Sequence, residues 1–406
     1  MWLISLSWRS LWHRKATSAL TLLTIAISVA LFLGVESVRQ GARASFANTL
    51  SGTDLVVGAR SSPVQLMLYS VFRLGDATNN MSWKSYQVIA KHPRVAWTVP
   101  ISLGDSHKGF KVLGTTQDYF TYYKYGRLKP LAFSAGHMFE ENFDVVLGAE
   151  VAKKLKYKLG DKIVIAHGTG NTSFTVHDEF PFTITGILEP TGTPVDHTLH
   201  VGLLALDIIH EGFTPNQNES LVPVSVTAAL VGLKSKAATF HLQRAINQYP
   251  KEALSAVLPG VALSQLWSMM SVAEKALMIV SGAVVFSGLV GMLAVLLSSL
   301  NERRRELAIL RASGASVWQV FTLVLLESCF LTVVGAALGV GLMYASILAF
   351  APVIEQVWGI TLALAPLSLN QWQLLAAVVG AGALVGCIPA YRAYRHSLSD
   401  GMTVKN

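Results

Sequence analysis

Asn301-Glu302-Arg303-Arg304-Arg305-Glu306-Leu307-Ala308-Ile309-Leu310-Arg311-Ala312-Ser313-Gly314-Ala315 is a charged island between two long apolar stretches, and its reading decides the fold. Four arginines and two glutamates fall within it, in a 406-residue chain that is 52% hydrophobic and only 14% charged. Soluble domains carry about 25% charged residues, so this balance points to a membrane protein with a substantial soluble part. Residues 273–300 before the island and 317–350 after it are long enough to cross a bilayer, which takes about 20 apolar residues. Two further stretches, 16–38 and 372–391, meet the same test. A buried core helix is a fair alternative for any one of them; four in one chain argue for a bilayer.

Basic residues set the expected orientation. Arg9, Arg14 and Lys15 precede the first span, the island carries Arg303, Arg304, Arg305 and Arg311, and Arg392 and Arg395 follow the fourth. The loop 351–371 has no Lys or Arg. The N-terminus, the loop 301–316 and the tail 392–406 are therefore expected in the cytoplasm, with 39–272 and 351–371 on the far side. Residues 1–15, with Trp2, Leu3, Leu6, Trp8, Leu11 and Trp12, suit a short helix lying in the interface. Ala42-Arg43-Ala44 loosely fits a signal cleavage pattern, but the apolar stretch before it is too long for a typical signal core, so a retained anchor is expected. The net charge of +8 could suggest nucleic acid; its placement beside the spans, rather than on one basic face, excludes that partner. Cys329 and Cys387 lie in apolar stretches and read as small packing residues, not as a disulfide or a metal framework.

The segment 39–272 reads as a mixed α/β domain inserted between the first and second spans. Runs rich in β-branched residues predict strands at 111–113, 144–147, 162–166, 182–187 and 221–233, and helical spacing predicts helices at 82–91, 149–157 and 237–248. Its two ends, 38–55 and 254–275, are predicted to continue the adjacent spans as helical stalks. A continuous helix transmits displacement where a flexible linker does not. The segment 57–69, apolar and Met-containing, has two readings: a core-packing helix, or a gate or groove near the membrane.

Within the island, Glu302 and Glu306 sit one helical turn apart and Gly314 is a plausible helix end. Leu307, Leu310 and Arg311 come near one face, leaving Arg304 and Arg305 to meet solvent, phosphates or a partner. The positive-inside rule accounts for the arginines but not for the apolar run 307–310, which reads as a docking surface framed by charge. The stretch 302–315 closely resembles the coupling segment of the MacB/LolC/FtsX-type ABC transporter permeases, roughly E-R-x-x-E-I-G-I-L-R-A-x-G-A. Ile388-Pro389-Ala390-Tyr391-Arg392-Ala393-Tyr394-Arg395 is similar to the motif that closes their fourth span. Asp144-Val145-Val146-Leu147-Gly148-Ala149-Glu150-Val151-Ala152, followed by Leu159-Gly160-Asp161, resembles the middle of their periplasmic domain. Ala308 departs from the usual Gly, a change a helix tolerates.

The resemblance implies an α-helical protein of the bacterial inner membrane, with four transmembrane helices and a large mixed α/β periplasmic domain. It implies a pair of permeases, identical or paralogous, each docking a separate ABC-type ATPase through Glu302, Arg303, Glu306, Leu307, Leu310, Arg311 and Gly314. ATP and Mg would be bound by that partner and no cofactor by this chain. The machine would act on a lipoprotein, a peptide or a hydrophobic small molecule, in contact with membrane lipid and with a periplasmic protein.

No catalytic motif competes with this reading. Gly104 and Gly109 approach a phosphate-loop spacing, but Phe110 stands where the lysine is needed, and neither a G-x-S-x-G elbow nor an H-E-x-x-H helix occurs. His167, His177, Asp178, Glu179, Asp196, His197, His200 and His210 fall close together without a recognisable ligand spacing, and His177 and His200 are the metal candidates among them. Gly335–Gly339 and Gly382–Gly386 are small-x-x-x-small pairs suited to helix packing within one subunit or between two. Glu327 lies inside the third span, where a charge is costly and faces protein or water. A lone intramembrane acid points to a structural hydrogen bond or a dimer interface rather than an ion pathway. A membrane scaffold or receptor, or a metal-linked envelope protein, are the competing classes.

Overall fold

The computed structural model describes residues 15–141, 143–167, 180–211, 222–302, 304–358 and 364–396. The expected interfacial helix 1–15 therefore lies, but for Lys15, outside the described residues, and so do His177 and Arg303. The described chain divides into two compact units.

The membrane unit is built on four helices long and apolar enough to cross a bilayer. They are α1 (Lys15–Asn48), α2 (Pro259–Glu302), α4 (Val317–Trp358) and α5 (Leu369–His396), with the short α3 (Arg304–Ala312) between the second and third. The starts of α4 and α5 are written in the sequence as Ser-x-x-Gln. Ser316 N donates to Gln319 Oε1 (2.8 Å) and Ser368 N to Gln371 Oε1 (2.8 Å), while each serine oxygen accepts from its glutamine's backbone N–H. These reciprocal bonds satisfy helix donors that would otherwise be left orphaned.

Ile25, Val29 and Leu33 of α1 pack with Leu289, Met292 and Leu296 of α2, Leu331 and Met343 of α4, and Leu375 and Val378 of α5. Lipid supplies no hydrophobic drive between helices, so close approach must come from small residues. The glycine pairs supply it inside this subunit. A Cβ on Gly335 would stand 2.7 Å from Ile25, and one on Gly339 2.7 Å from Val29. On α5, Cβ atoms on Gly382 and Gly386 would stand 2.3 Å from Thr332 Oγ1 and 2.2 Å from Ser328 Oγ. Both pairs hold α4, one against α1 and the other through α5.

The inserted unit centres on a mixed sheet. Its main strands are β1 (Leu55–Ala59), β2 (Val95–His107), β3 (Phe110–Thr115), β4 (Phe133–Gly136), β5 (Asp144–Leu147), β6 (Phe182–Leu188), β7 (Thr198–Gly202), β8 (Ala228–Leu233) and β9 (Leu254–Val257). They run in the order β9-β1-β8-β2-β3-β7-β5-β6-β4, with β3–β7 and β5–β6 parallel and the other neighbours antiparallel. The thirteen-residue β2 is shared: its first half pairs with β8 and its second with β3. Helices Trp83–Ala90 and Thr239–Asn247 cover one half of the sheet, and Ala149–Leu155 and Leu203–Glu211 cover the other. All five residues of β1 are buried because both of its faces are covered: Leu55 and Val57 enter one core, Val56 the other.

One expectation changes, and one pair of alternatives is decided. The stalks are shorter than 38–55 and 254–275, since α1 ends at Asn48 and α2 begins at Pro259. Leu254–Val257 is instead a strand, registered as Val56↔Val257 and Ala59↔Leu254. Its burial on β1 outweighs helix extension, and Pro259 suits a first helical turn that needs no N–H. The segment 57–69 is core: β1 is followed by helix Pro63–Ser70, capped by the Ser62 hydroxyl, with Leu66, Met67 and Tyr69 buried.

Candidate functional site

The island resolves into α3 and its cap. Leu307 is 6% exposed and packs with Leu300, Val320, Val324, Ala390 and Ala393, with Leu310 half-buried beside them. The two leucines do share a face, and that face is turned toward the chain's own helices. Helical periodicity fixes which residues travel together but not which way they point. The exposed side belongs to Glu306, Ile309 (68% exposed), Ala312 and Ser313. Ile309 was part of the apolar run but not among the residues singled out for docking. The Glu302 side chain lies outside what is described.

The end of α3 is closed by Gly314 at φ +98°, with Ala315 N donating to Leu310 O (3.0 Å) and Gly314 N to Arg311 O (3.1 Å). This is a left-handed glycine stop, which a side chain would strain. Arg311 Nη1 donates to Ala315 O (2.9 Å), so this arginine braces the turn. An aromatic cluster lies at the same end of the unit. Trp318 is 66% exposed, with Phe321 at 5.5 Å and Tyr394 at 6.1 Å, and Tyr391 stacks on Tyr394 at 6.3 Å between centroids. Such rings suit headgroup depth.

At the opposite end of the same helices a polar cluster joins α1, α2 and α5. Glu36, 5% exposed, accepts from Arg39 Nε (2.8 Å) and Nη2 (2.6 Å) and from Gln40 Nε2 (2.6 Å). Arg39 also reaches Glu274 (3.5 Å), Gln40 reaches Ser368 (3.2 Å), and Gln371 Nε2 donates to Ser37 Oγ (2.9 Å). The i, i+3 spacing of Glu36 and Arg39 at the end of an apolar stretch was the available signal. Glu327 is 3% exposed, covered by the chain's own helices, next to Ser328, whose hydroxyl donates to Gly382 O (3.0 Å).

Among the described residues no group of three or more His, Cys, Asp or Glu could hold a metal ion. His200 is wholly buried on β7 beside Tyr119 and Phe120, with Nδ1 facing Val146 O at 3.3 Å. Burial, helped by the Arg73 guanidinium, pushes its pKa down to about 3. Asp196 is taken up by its own turn, accepting from Thr191 N, Thr191 Oγ1 and Gly192 N at 2.7–3.0 Å. The run from Asp144 to Ala152 is β5 followed by helix Ala149–Leu155, and Gly148 between them is required by close approach: a Cβ there would stand 2.2 Å from Val195 O.

The model of the MacB-like periplasmic core domain matches residues 18–249, and that of the FtsX-like permease C-terminal domain matches 278–398. The chain is 24% identical over 93% of its length to a macrolide export ATP-binding/permease protein MacB of Nitrobacter winogradskyi, of which it covers 56%. It is 25% identical over 82% of its length to the MacB protein of an Azoarcus species, covering 50% of it. A 109-residue stretch is 30% identical to the ABC transporter permease YknZ of Bacillus subtilis, 27% of this chain and 25% of that one. The chain thus spans about half the length, or less, of the curated relatives it matches. Among solved structures, the periplasmic region of MacB from Actinobacillus actinomycetemcomitans aligns with a TM-score of 0.36 and 12% identity, over 54% of this chain and 94% of that one. Four apolar helices, a mixed α/β domain between the first and second, and two family models that follow the same division place this chain in the MacB-like, FtsX-like family of ABC transporter permeases.

Proposed function

We propose that this chain is the membrane subunit of an ABC-type machine in which a separate ATPase docks on α3 and drives movement of the inserted domain. The observation that carries the reading is the two-sidedness of α3. Leu307 and Leu310 tie it to α4 and α5, while Glu306 and Ile309 remain on the outer side. An isoleucine 68% exposed on a charged helix between two spans suits a protein partner. A displacement of α3 would pass through Leu307 into α4, which the glycine contacts join to α1 and α5.

On this reading α3 and both termini are cytoplasmic, and the inserted domain is periplasmic. The partner binds ATP and Mg, and a second permease completes the assembly. The substrate class is a lipoprotein, a peptide or a hydrophobic small molecule. The test is affinity purification of the solubilised full chain with and without Glu306→Lys/Ile309→Asp, both exposed positions. An ATPase that copurifies with the wild type and is lost from a well-folded double variant is the expected result. Retention of the ATPase by the variant, or no ATPase with either, would sink the docking proposal.

A further inference from the structure

The inserted unit contains a cavity of about 910 Å³ that neither the docking reading nor the family assignment uses. This lies within the range of about 300–1,000 Å³ typical of ligand sites. Its apolar wall includes Phe46, Phe72, Phe110 and Leu155. Ala42 and Phe46 belong to α1 and Met270 to α2, the helices whose apolar stretches are candidate spans.

Its polar lining is one-signed. Arg73, Lys108, Lys111 and Lys154 all line the cavity, and among the described residues lining it there is no Asp or Glu. Lys111 is paired with Asp76 (2.6 Å), whose side chain is 63% exposed. Lys108 is held by a neutral partner, Tyr157 Oη (3.0 Å), and lies 5.3 Å from that ring's centroid.

The cations are placed by rigid backbone. Lys108 and Gly109 form the two-residue turn between β2 and β3 with φ of +47° and +86°, a tight hairpin that fixes Lys108, Phe110 and Lys111 on one rim. Arg73 sits at φ +60°, a left-handed conformation that is uncommon outside glycine and costs about 1 kcal/mol or more. Its guanidinium lies against the buried Tyr119 hydroxyl and near His200, with Nη1 enclosed by the protein. His197, which stacks on Phe110, has its pKa lowered first by burial and then by Lys154, so the cavity holds neutral imidazole beside fixed positive charge.

We propose that this cavity binds an anionic phospholipid, its acyl chain against the phenylalanine and leucine wall and its phosphate at Arg73, Lys108 and Lys154. A phosphate complements a rim whose described charged residues are all cations, and an apolar wall beside a cationic rim matches an amphiphile rather than a simple anion. The source is the bilayer, because two of the contributing helices carry apolar spans. The proposal requires no ATPase and stands or falls apart from the docking reading.

The test uses the full chain in phosphatidylcholine nanodiscs containing a minority of either photoactivatable phosphatidylglycerol or photoactivatable phosphatidylcholine, with labelled peptides mapped by mass spectrometry. The expected result is selective phosphatidylglycerol labelling of peptides containing Phe46, Leu74 and Phe110. That labelling should fall at least about thirtyfold in Lys108→Glu/Lys154→Glu, given about 1 kcal/mol for each of the two cations removed near an anionic surface. Lys84→Glu/Lys91→Glu, an equal charge change at exposed lysines outside the cavity, should leave it unchanged. If the reversed pair fails to fold by circular dichroism, Lys108→Gln/Lys154→Gln should show the same direction of loss. Equal labelling by both lipids, or no change on removing the lysines, overturns the headgroup assignment. Labelling by a soluble photoactivatable dodecyl phosphate but not by phosphatidylglycerol overturns the membrane source, and an unlabelled cavity overturns the proposal.

Discussion

His200→Leu should flatten the acid limb of this protein's stability curve. The imidazole is fully buried, and its pKa falls from an ordinary 6.5 to about 3. A base whose folded pKa lies below its unfolded value is stabilising in its neutral form. The contribution is complete above pH 6.5 and is lost as pH falls from 6.5 toward 3, because only the unfolded chain accepts the proton there. Each pH unit in that window removes about 1.4 kcal/mol. Between neutral pH and about pH 5 the wild type should lose roughly 2 kcal/mol through this one group, or about 4–8 °C in Tm for a domain of about 200 residues. Burial also lowers the pKa of His107 and His197, so the wild type and the variant share a background slope. The readout is therefore the difference between their slopes, from thermal scans of tryptophan fluorescence on the full chain in detergent micelles. Equal slopes below pH 6.5 would refute the burial argument. So would a variant whose acid loss is steeper than the wild type's.

Other positions give sharper local tests. Gly382→Ala puts a Cβ 2.3 Å from Thr332 Oγ1 and should cost about 1–3 kcal/mol in thermal stability, whereas Gly380→Ala, with nothing within 4 Å, should be close to neutral. Arg39→Ala leaves the buried Glu36 carboxylate without its two-pronged donor, and should destabilise by about 1–3 kcal/mol; adding Glu36→Gln should recover part of that loss in the same denaturation assay. Gly148→Ala drives a Cβ against the Val195 carbonyl and should lower the melting temperature and the expression of folded chain, while Gly104→Ala, in open space, should not.

The four spans were legible because a bilayer demands about 20 apolar residues and the sequence has few other uses for them. β5 was legible to the residue, since Asp144-Val145-Val146-Leu147 is a short β-branched run stopped by a glycine. What the pattern could not carry was direction. Leu307 and Leu310 were recognised as a face, but only packing against Val320, Val324 and Ala390 shows that the face is inward and leaves Ile309 outside. The glycine pairs were recognised as close-approach sites, and their partners, Ile25, Val29, Ser328 and Thr332, are set by the way the helices cross. The surroundings of His200 were not legible for a related reason. Proximity along the chain placed His200 with its neighbours, whereas a strand inside a covered sheet points that side chain into the aromatic core. The cationic cavity gathers Arg73, Lys108 and Lys154 from three separate elements, so no window of sequence contains it.

The strand order has a consequence for biogenesis. Val56 of the first strand is paired with Leu230 on one side and Val257 on the other, so the earliest-made strand is flanked by the last two. Until the ribosome has passed Leu233, a wholly apolar ribbon from Leu55 to Ala59 has a neighbour on neither edge, and one edge stays open until Val257 has been made. Pairings this distant in sequence are slow to form, and an unpaired apolar strand invites association with other nascent chains. The domain therefore closes as a late event, just before the second span is synthesised, and the growing chain depends on shielding of Leu55–Ala59 for most of that interval.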